Sequence, residues 1–212
     1  LIVYFLFDDT MERTVSTKLG SDNNIIITDI GSKFFYIPIT KNASSYTYSF
    51  FKQIKWLYYR LNTFSEVETR IPIVVLRNPL ERWCSGFSQD CFFDNLRFNL
   101  DDDNVLDSIF NTCHTGIHTL PQCYFLKNFD LSNAIFLDAD KNLIKNLEDL
   151  TKNIIQIGNF INLRNHPSKS MMNYGIKDQI KKVLENPKYS NKLNEYLAED
   201  WKLYDNCSFY KG

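Results

Sequence analysis

The sequence has little of several things that would settle its class at once. Its five cysteines, Cys84, Cys91, Cys113, Cys123 and Cys207, include no C-x-x-C pair, so they carry no signature of a structural zinc site. Cys84 with Cys91 and Cys113 with Cys123 could bridge in an oxidising compartment, and buried reduced thiols are the alternative; spacing leaves both open. Glycine and proline are scarce, at 7 and 6 residues, which excludes a collagen-like or low-complexity chain. Net charge is nearly absent: 24 Lys and Arg face 25 Asp and Glu, so no general basic field would draw nucleic acid, and any anion site has to be local. No apolar run approaches the roughly 20 residues of a membrane-spanning helix, and Leu1–Phe7 lacks the basic flank of a signal peptide. No membrane segment is therefore expected. Neither G-x-x-x-x-G-K-[ST] nor G-x-G-x-x-G occurs, which removes the ordinary P-loop and the dinucleotide fingerprint.

What is present is ample material for a core. With 44% hydrophobic and 15% aromatic residues over 212 positions, the chain is expected to fold as one domain, residues 1–212, with an irregular polar lead-in over 1–24. Ile25-Ile26-Ile27-Thr28 is a β-branched run, and Asp29–Ser32 reads as a turn that would close a hairpin onto a strand beginning at Phe34. Tyr46, Phe50, Ile54, Leu57 and Leu61 recur at helical spacing, which predicts a helix starting near Ala43. Ile71–Leu76 is a continuous apolar run suited to a strand covered on both faces, and Asn78-Pro79 starts a helix presenting Leu80, Trp83 and Phe87. Asp101-Asp102-Asp103 is expected to cap a helix carrying Val105, Leu106, Ile109 and Phe110 rather than to hold a metal. Ala134–Leu137 reads as a further strand, followed by a helix with Leu143, Leu147, Leu150 and Ile154. Ile176, Ile180, Val183 and Leu184 mark one late helix, and Leu193, Leu197, Trp201 and Tyr204 another. Strands followed by helices predict a three-layer α/β/α fold with a mostly parallel central sheet.

Two strand ends carry anion-binding chemistry. After Phe34–Pro38, the stretch Thr40-Lys41-Asn42-Ala43-Ser44-Ser45 brings one lysine and small hydroxylated residues to a helix N-terminus, where free N–H groups and the macrodipole favour a phosphate or sulfate. An ordinary strand-to-helix turn with a solvated lysine is the other reading of this stretch taken alone. After Ile71–Leu76 come Arg77 and, on the next helix, Ser85. Ligands of open parallel sheets sit beyond the carboxyl ends of the strands, so the two sets suit a nucleotide phosphorylated at both ends.

Ile37–Tyr46, followed by Val75-Leu76-Arg77-Asn78-Pro79-Leu80-Glu81-Arg82-Trp83-Cys84-Ser85-Gly86-Phe87, resembles the two nucleotide-binding motifs of the sulfotransferases, especially the carbohydrate type, sulfotransferase family 2. The R-[DN]-P-x-x-R-x-x-S run is the more specific of the two. The resemblance extends to Ile117–Gln122, to Phe136–Ile154 and to Tyr196–Tyr204. It implies a P-loop-NTPase-like sulfotransferase fold and transfer of a sulfuryl group from 3′-phosphoadenosine 5′-phosphosulfate, PAPS, to an acceptor hydroxyl, with 3′-phosphoadenosine 5′-phosphate, PAP, as product. The acceptor partner would be a glycan or another hydroxyl-bearing molecule. Carried over by position, Lys41, Asn42, Ala43, Ser44 and Ser45 hold the 5′-phosphosulfate, and Arg77 and Ser85 hold the 3′-phosphate. Lys169, Ser170 and Tyr174 fall where family members close over the nucleotide. Lys41 doubles as a catalytic group, and His118, in a segment resembling the family's H-x-x-P-Q pattern, is the first choice for the general base. His114, Glu66 and Asp90 are weaker candidates, and His166 reads as a surface residue. No metal is required. Thr40 stands where many members have proline, and Asn78 where aspartate is commoner; either residue at 78 caps the following helix.

Arg82 is read either as a helix-surface ion pair or as a ligand, and most aromatic residues of the first helix and the tail as core. Two other functions stay open at this level: a nucleotide kinase or other phosphotransferase, against which the missing P-loop counts, and a non-catalytic PAP-binding module of the same fold.

Overall fold

The computed structural model describes residues 24–93, 99–155 and 174–212. It is an α/β structure with a five-stranded mixed sheet in the order β3-β1-β2-β4-β5, where β1 is Ile25–Thr28, β2 Phe34–Ile37, β3 Leu57–Arg60, β4 Ile71–Leu76 and β5 Ile135–Asp138. The chain divides into two compact units. The first, Leu1–Leu76 with Tyr124–Leu163 and Ser208–Gly212, holds the sheet. The second, Arg77–Cys123 with Arg164–Cys207, is helical where described. Among the described residues no helix is long and apolar enough to cross a membrane.

Local sequence explains how each strand of the first unit pairs. The turn after Thr28, closed by Ser32 N donating to Asp29 O at 3.1 Å, is too short for a crossover, so β1 and β2 run antiparallel. β2, β4 and β5 pair in parallel, with Ile37 opposite Val74 and Leu76 opposite Asp138. The sheet expected to be mostly parallel is mixed: the pairings β2–β4 and β4–β5 are parallel, and β1–β2 and β1–β3 are antiparallel. Alternation puts Ile27, Tyr36, Ile73, Val75 and Leu137 on one face, packed against α1 (Ser44–Gln53) and the Leu143, Leu147 and Leu150 side of the helix Leu143–Leu150. On the other face Phe35 meets Phe129, which is edge-on to Phe64.

The helix expected to continue through Leu57 and Leu61 instead stops at Gln53. Lys55 takes a left-handed φ of 65°, and Trp56 folds back to stack on Phe51 with ring centroids 4.6 Å apart. The run Leu57-Tyr58-Tyr59-Arg60 then pairs along its whole length with β1, because ladder pairing of two strand-forming tyrosines outweighs the helical spacing of two leucines.

In the second unit α2 (Pro79–Phe93) and α3 (Asp103–Thr112) precede a short 3₁₀ turn, Ile117–Thr119; α4 (Gln122–Leu126) begins in this unit and ends in the first. With Leu143–Leu150 as α5, the later helices are α6 (Tyr174–Val183), α7 (Pro187–Tyr196) and α8 (Ala198–Asn206). Trp83, Phe87, Phe110, Tyr189, Leu193 and Leu197 form a separate core, with Trp83 stacked on Phe87 at 5.2 Å. Asp102 caps α3 through Asn104 N, as its position predicts. The single late helix expected across Leu193–Tyr204 is two, bent at Leu197 with that leucine buried at the break.

Glu81 on α2 pairs with Lys177 and with Lys181, the latter at 2.8 Å. Burial pushes its carboxyl upward, but the two lysines outweigh that and bring it down to about 2. A depressed carboxylate contributes stability above its unfolded value and loses it as the pH falls through the folded one. The difference in urea midpoint between wild type and Glu81→Gln should therefore be full at neutral pH and shrink as the pH drops from 4.5 towards about 2. A pH-independent difference would contradict the pairing.

Candidate functional site

The loop after β2 is held by one inward-facing side chain. Asn42 is fully buried, its Nδ2 donating to Val75 O on β4 at 2.8 Å, and its own N–H reaches Ile39 O at 3.2 Å. Lys41 and Ala43 both take left-handed φ values, 67° and 55°, a conformation that costs a non-glycine residue on the order of 1 kcal/mol and persists only when the surroundings impose it. Here Asn42 sits between them as the anchor. Removing it, as Asn42→Ala, should cost roughly 1–2 kcal/mol in a urea titration.

This geometry delivers the chain into α1 with Ala43 as a cap that supplies no side-chain hydrogen bond, and with no acidic residue in the first turn. The leading N–H groups of α1 thus have no intrahelical acceptor, and the helix's own first turn carries no carboxylate against its positive end. Ser44 is half-buried, Ser45 exposed and Lys41 half-buried. Lys41, Ala43, Ser44 and Ser45 share this turn by sequence adjacency, while the Asn42 side chain is turned inward to Val75 O.

At the start of the second unit, Arg77 has its backbone bracketed by one side chain. Gln122 Oε1 accepts from Arg77 N and Gln122 Nε2 donates to Arg77 O, both at 3.0 Å, which imitates a strand pairing where no strand exists. Gln122 is in turn placed by Asp200, whose carboxylate accepts from Gln122 N at 2.6 Å and Cys123 N at 2.8 Å, capping α4. Both Gln122 and Asp200 are fully buried. Asn78 Oδ1 caps α2 through Glu81 N at 3.1 Å, and Ser85 lies half-buried on that helix.

Arg82 is not a surface ion pair. It is fully buried and donates to Leu120 O. Burial pulls its guanidinium down to about 10, partly offset by the charge of Asp200, so it remains a cation at neutral pH. That bond ties α2 to the segment that carries His118.

His118 lies on the 3₁₀ turn with its side chain 13% exposed, and its Nδ1 is 2.5 Å from Oδ1 of Asp90 on α2, which is 4% exposed. The other oxygen of Asp90 accepts from Thr115 Oγ1 at 3.0 Å. His118 Nε2 faces Gln89 Nε2 at 3.4 Å. Two glycines make the approach possible: a Cβ on Gly86 would stand 2.0 Å from the His118 carbonyl oxygen, and one on Gly116 would stand 2.8 Å from Asp90 Oδ2. Asp90, a lesser candidate for the base on sequence, is thus the partner of the first choice.

Other candidates find structural roles. Glu66 accepts from Thr63 N and Asn62 N in a capping box, and these bonds hold its carboxyl below the usual range. His114 is exposed. His166, Lys169, Ser170 and the side chain of Tyr174 lie outside the described residues. All five cysteines are free thiols, and burial pushes Cys84 and Cys113 up to about 11 and Cys123 up to about 12, leaving these three protonated at neutral pH. Among the described residues no cluster of three or more His, Cys, Asp or Glu is arranged to hold a metal. Asp200 has no local sequence signal, since only the fold brings it to residue 122. Gln122 carried one, its place at the end of the His118-Thr119-Leu120-Pro121-Gln122 run. No family model, curated protein or solved structure matches the chain.

Proposed function

We propose that the chain is a PAPS-dependent sulfotransferase with a P-loop-NTPase-like arrangement of its parallel strands, sulfating a hydroxyl of a carbohydrate acceptor by in-line transfer. The observation that carries this reading is the run Arg77-Asn78-Pro79-Leu80-Glu81-Arg82-Trp83-Cys84-Ser85 directly after β4, on the parallel neighbour of the strand that leads through Lys41 into an uncapped helix N-terminus. By residue type, the two sets suit a nucleotide with phosphates at both ends. Lys41 and the leading N–H groups of α1, with Ser44 and Ser45, suit the 5′-phosphosulfate; Arg77, whose planar fork matches a phosphate, and Ser85 suit the 3′-phosphate. Lys169 and Tyr174 are assigned to the same nucleotide on the resemblance alone.

PAPS supplies the sulfuryl group. The protein's part is to hold both phosphates, to remove the acceptor proton and to stabilise the charge left on the 5′-phosphate. That charge grows as the sulfur–oxygen bond breaks, so a lysine and N–H donors aimed at it act more strongly on the transition state than on the ground state. His118 takes the proton of the acceptor hydroxyl.

Calorimetric titration with PAP tests the reading. Saturable binding is expected, weakened roughly 10- to 100-fold by Arg77→Ala with the circular dichroism spectrum unchanged. Wild-type protein that binds no PAP, or that binds magnesium ATP without competition from PAP, would overturn it.

A further inference from the structure

We propose that Asp90 is a positioning residue for His118: it accepts the Nδ1 proton, fixes the neutral imidazole in one tautomer and so presents the Nε2 lone pair as the proton acceptor. The inference rests on the assignment of His118 as the base. A carboxylate can only accept a hydrogen bond, so at 2.5 Å from Oδ1 the Nδ1 atom must carry a proton. Neutral imidazole has one N–H, and Nε2 is then bare.

The Nε2 side is consistent with this. The group facing it is the amide nitrogen of Gln89, a donor with no lone pair to offer, which suits a bare Nε2 and not a second N–H. At 3.4 Å that contact is long, and an acceptor hydroxyl would replace it at little cost. The dyad is also enclosed. Thr115 Oγ1 occupies Asp90 Oδ2, the absence of a side chain at Gly116 leaves room for that oxygen, and Gly86 lets the His118 backbone rest on α2. Desolvation of the carboxylate makes its hold on Nδ1–H stronger than the same pair would have in water.

The test is ¹⁵N NMR of the histidine-labelled full chain at about pH 8.5, where an ordinary imidazole is neutral, with His118 assigned by the signals lost in His118→Gln. The expected result is a single Nδ1–H tautomer in wild type, kept in Thr115→Val and shifted towards Nε2–H in Asp90→Ala. Wild-type protein with an Nε2–H form or an even mixture would overturn the proposal, as would Asp90→Ala that keeps the wild-type tautomer. Should Asp90→Ala fail to fold, the wild-type and Thr115→Val spectra decide. PAP titration of the wild type separates the two levels: the expected tautomer without PAP binding removes the sulfotransferase reading, and PAP binding with the wrong tautomer removes the role of Asp90 alone.

Discussion

Gly86→Ala is expected to lower stability by about 3 kcal/mol, read as a fall in the urea midpoint with an unchanged slope. The added Cβ would lie 2.0 Å from the His118 carbonyl oxygen and 2.6 Å from its carbon, and these are backbone atoms that cannot rotate away. Relief requires α2 or the turn Ile117–Thr119 to move. That turn is tied on several sides: Arg82 donates to Leu120 O, Tyr196 Oη to Thr119 O at 3.4 Å, and Thr119 Oγ1 to Gly116 O at 2.8 Å. Alanine in a helix interior normally gains about 0.5–1 kcal/mol over glycine, and here the overlap should outweigh that gain several-fold. A neutral or stabilising substitution would show that the turn is not packed on α2 as described.

If the chain is the proposed sulfotransferase, Lys41→Ala is expected to reduce turnover about 10²- to 10³-fold while weakening PAP binding by no more than about tenfold. The asymmetry is the point. If Lys41 meets charge that develops only as the leaving group departs, its removal acts on the transition state; a lysine that merely attracts the nucleotide would lose affinity and turnover together. The neighbouring N–H groups of α1 survive the substitution, which limits the binding loss. Equal losses, or unchanged turnover, would withdraw the assignment.

Much of the architecture was legible because short-range physics decides it. Asn78-Pro79 starts a helix in any context that permits one, and Asp102 ahead of an apolar helical repeat caps it. The run Ile71–Leu76 has no polar side to turn outward, so it becomes a strand buried throughout most of its length. Where local preference was divided the reading failed. Leu57 and Leu61 continue the spacing of α1, yet Tyr58 and Tyr59 are strand formers, and the free edge of β1 settled the competition. Leu197 likewise sits in a helical repeat, and its burial in the core bends the chain there.

The candidate site divides in the same way. By itself the sequence determined which chemistry is on offer: one lysine at a loop that enters a helix, an arginine directly after an apolar strand, and a histidine in a polar loop. Each is a matter of residue type and neighbours. Only the tertiary structure decided what holds them. It turned Asn42 inward to bear the loop on which Lys41 stands, buried Arg82 instead of exposing it, brought Asp200 from far along the chain to set Gln122 against Arg77, and laid Asp90 against His118. These partners are separated by up to 78 residues, and no local propensity encodes a hydrogen bond across that distance; it exists because packing of the core buries those polar groups together and each must then find its partner there.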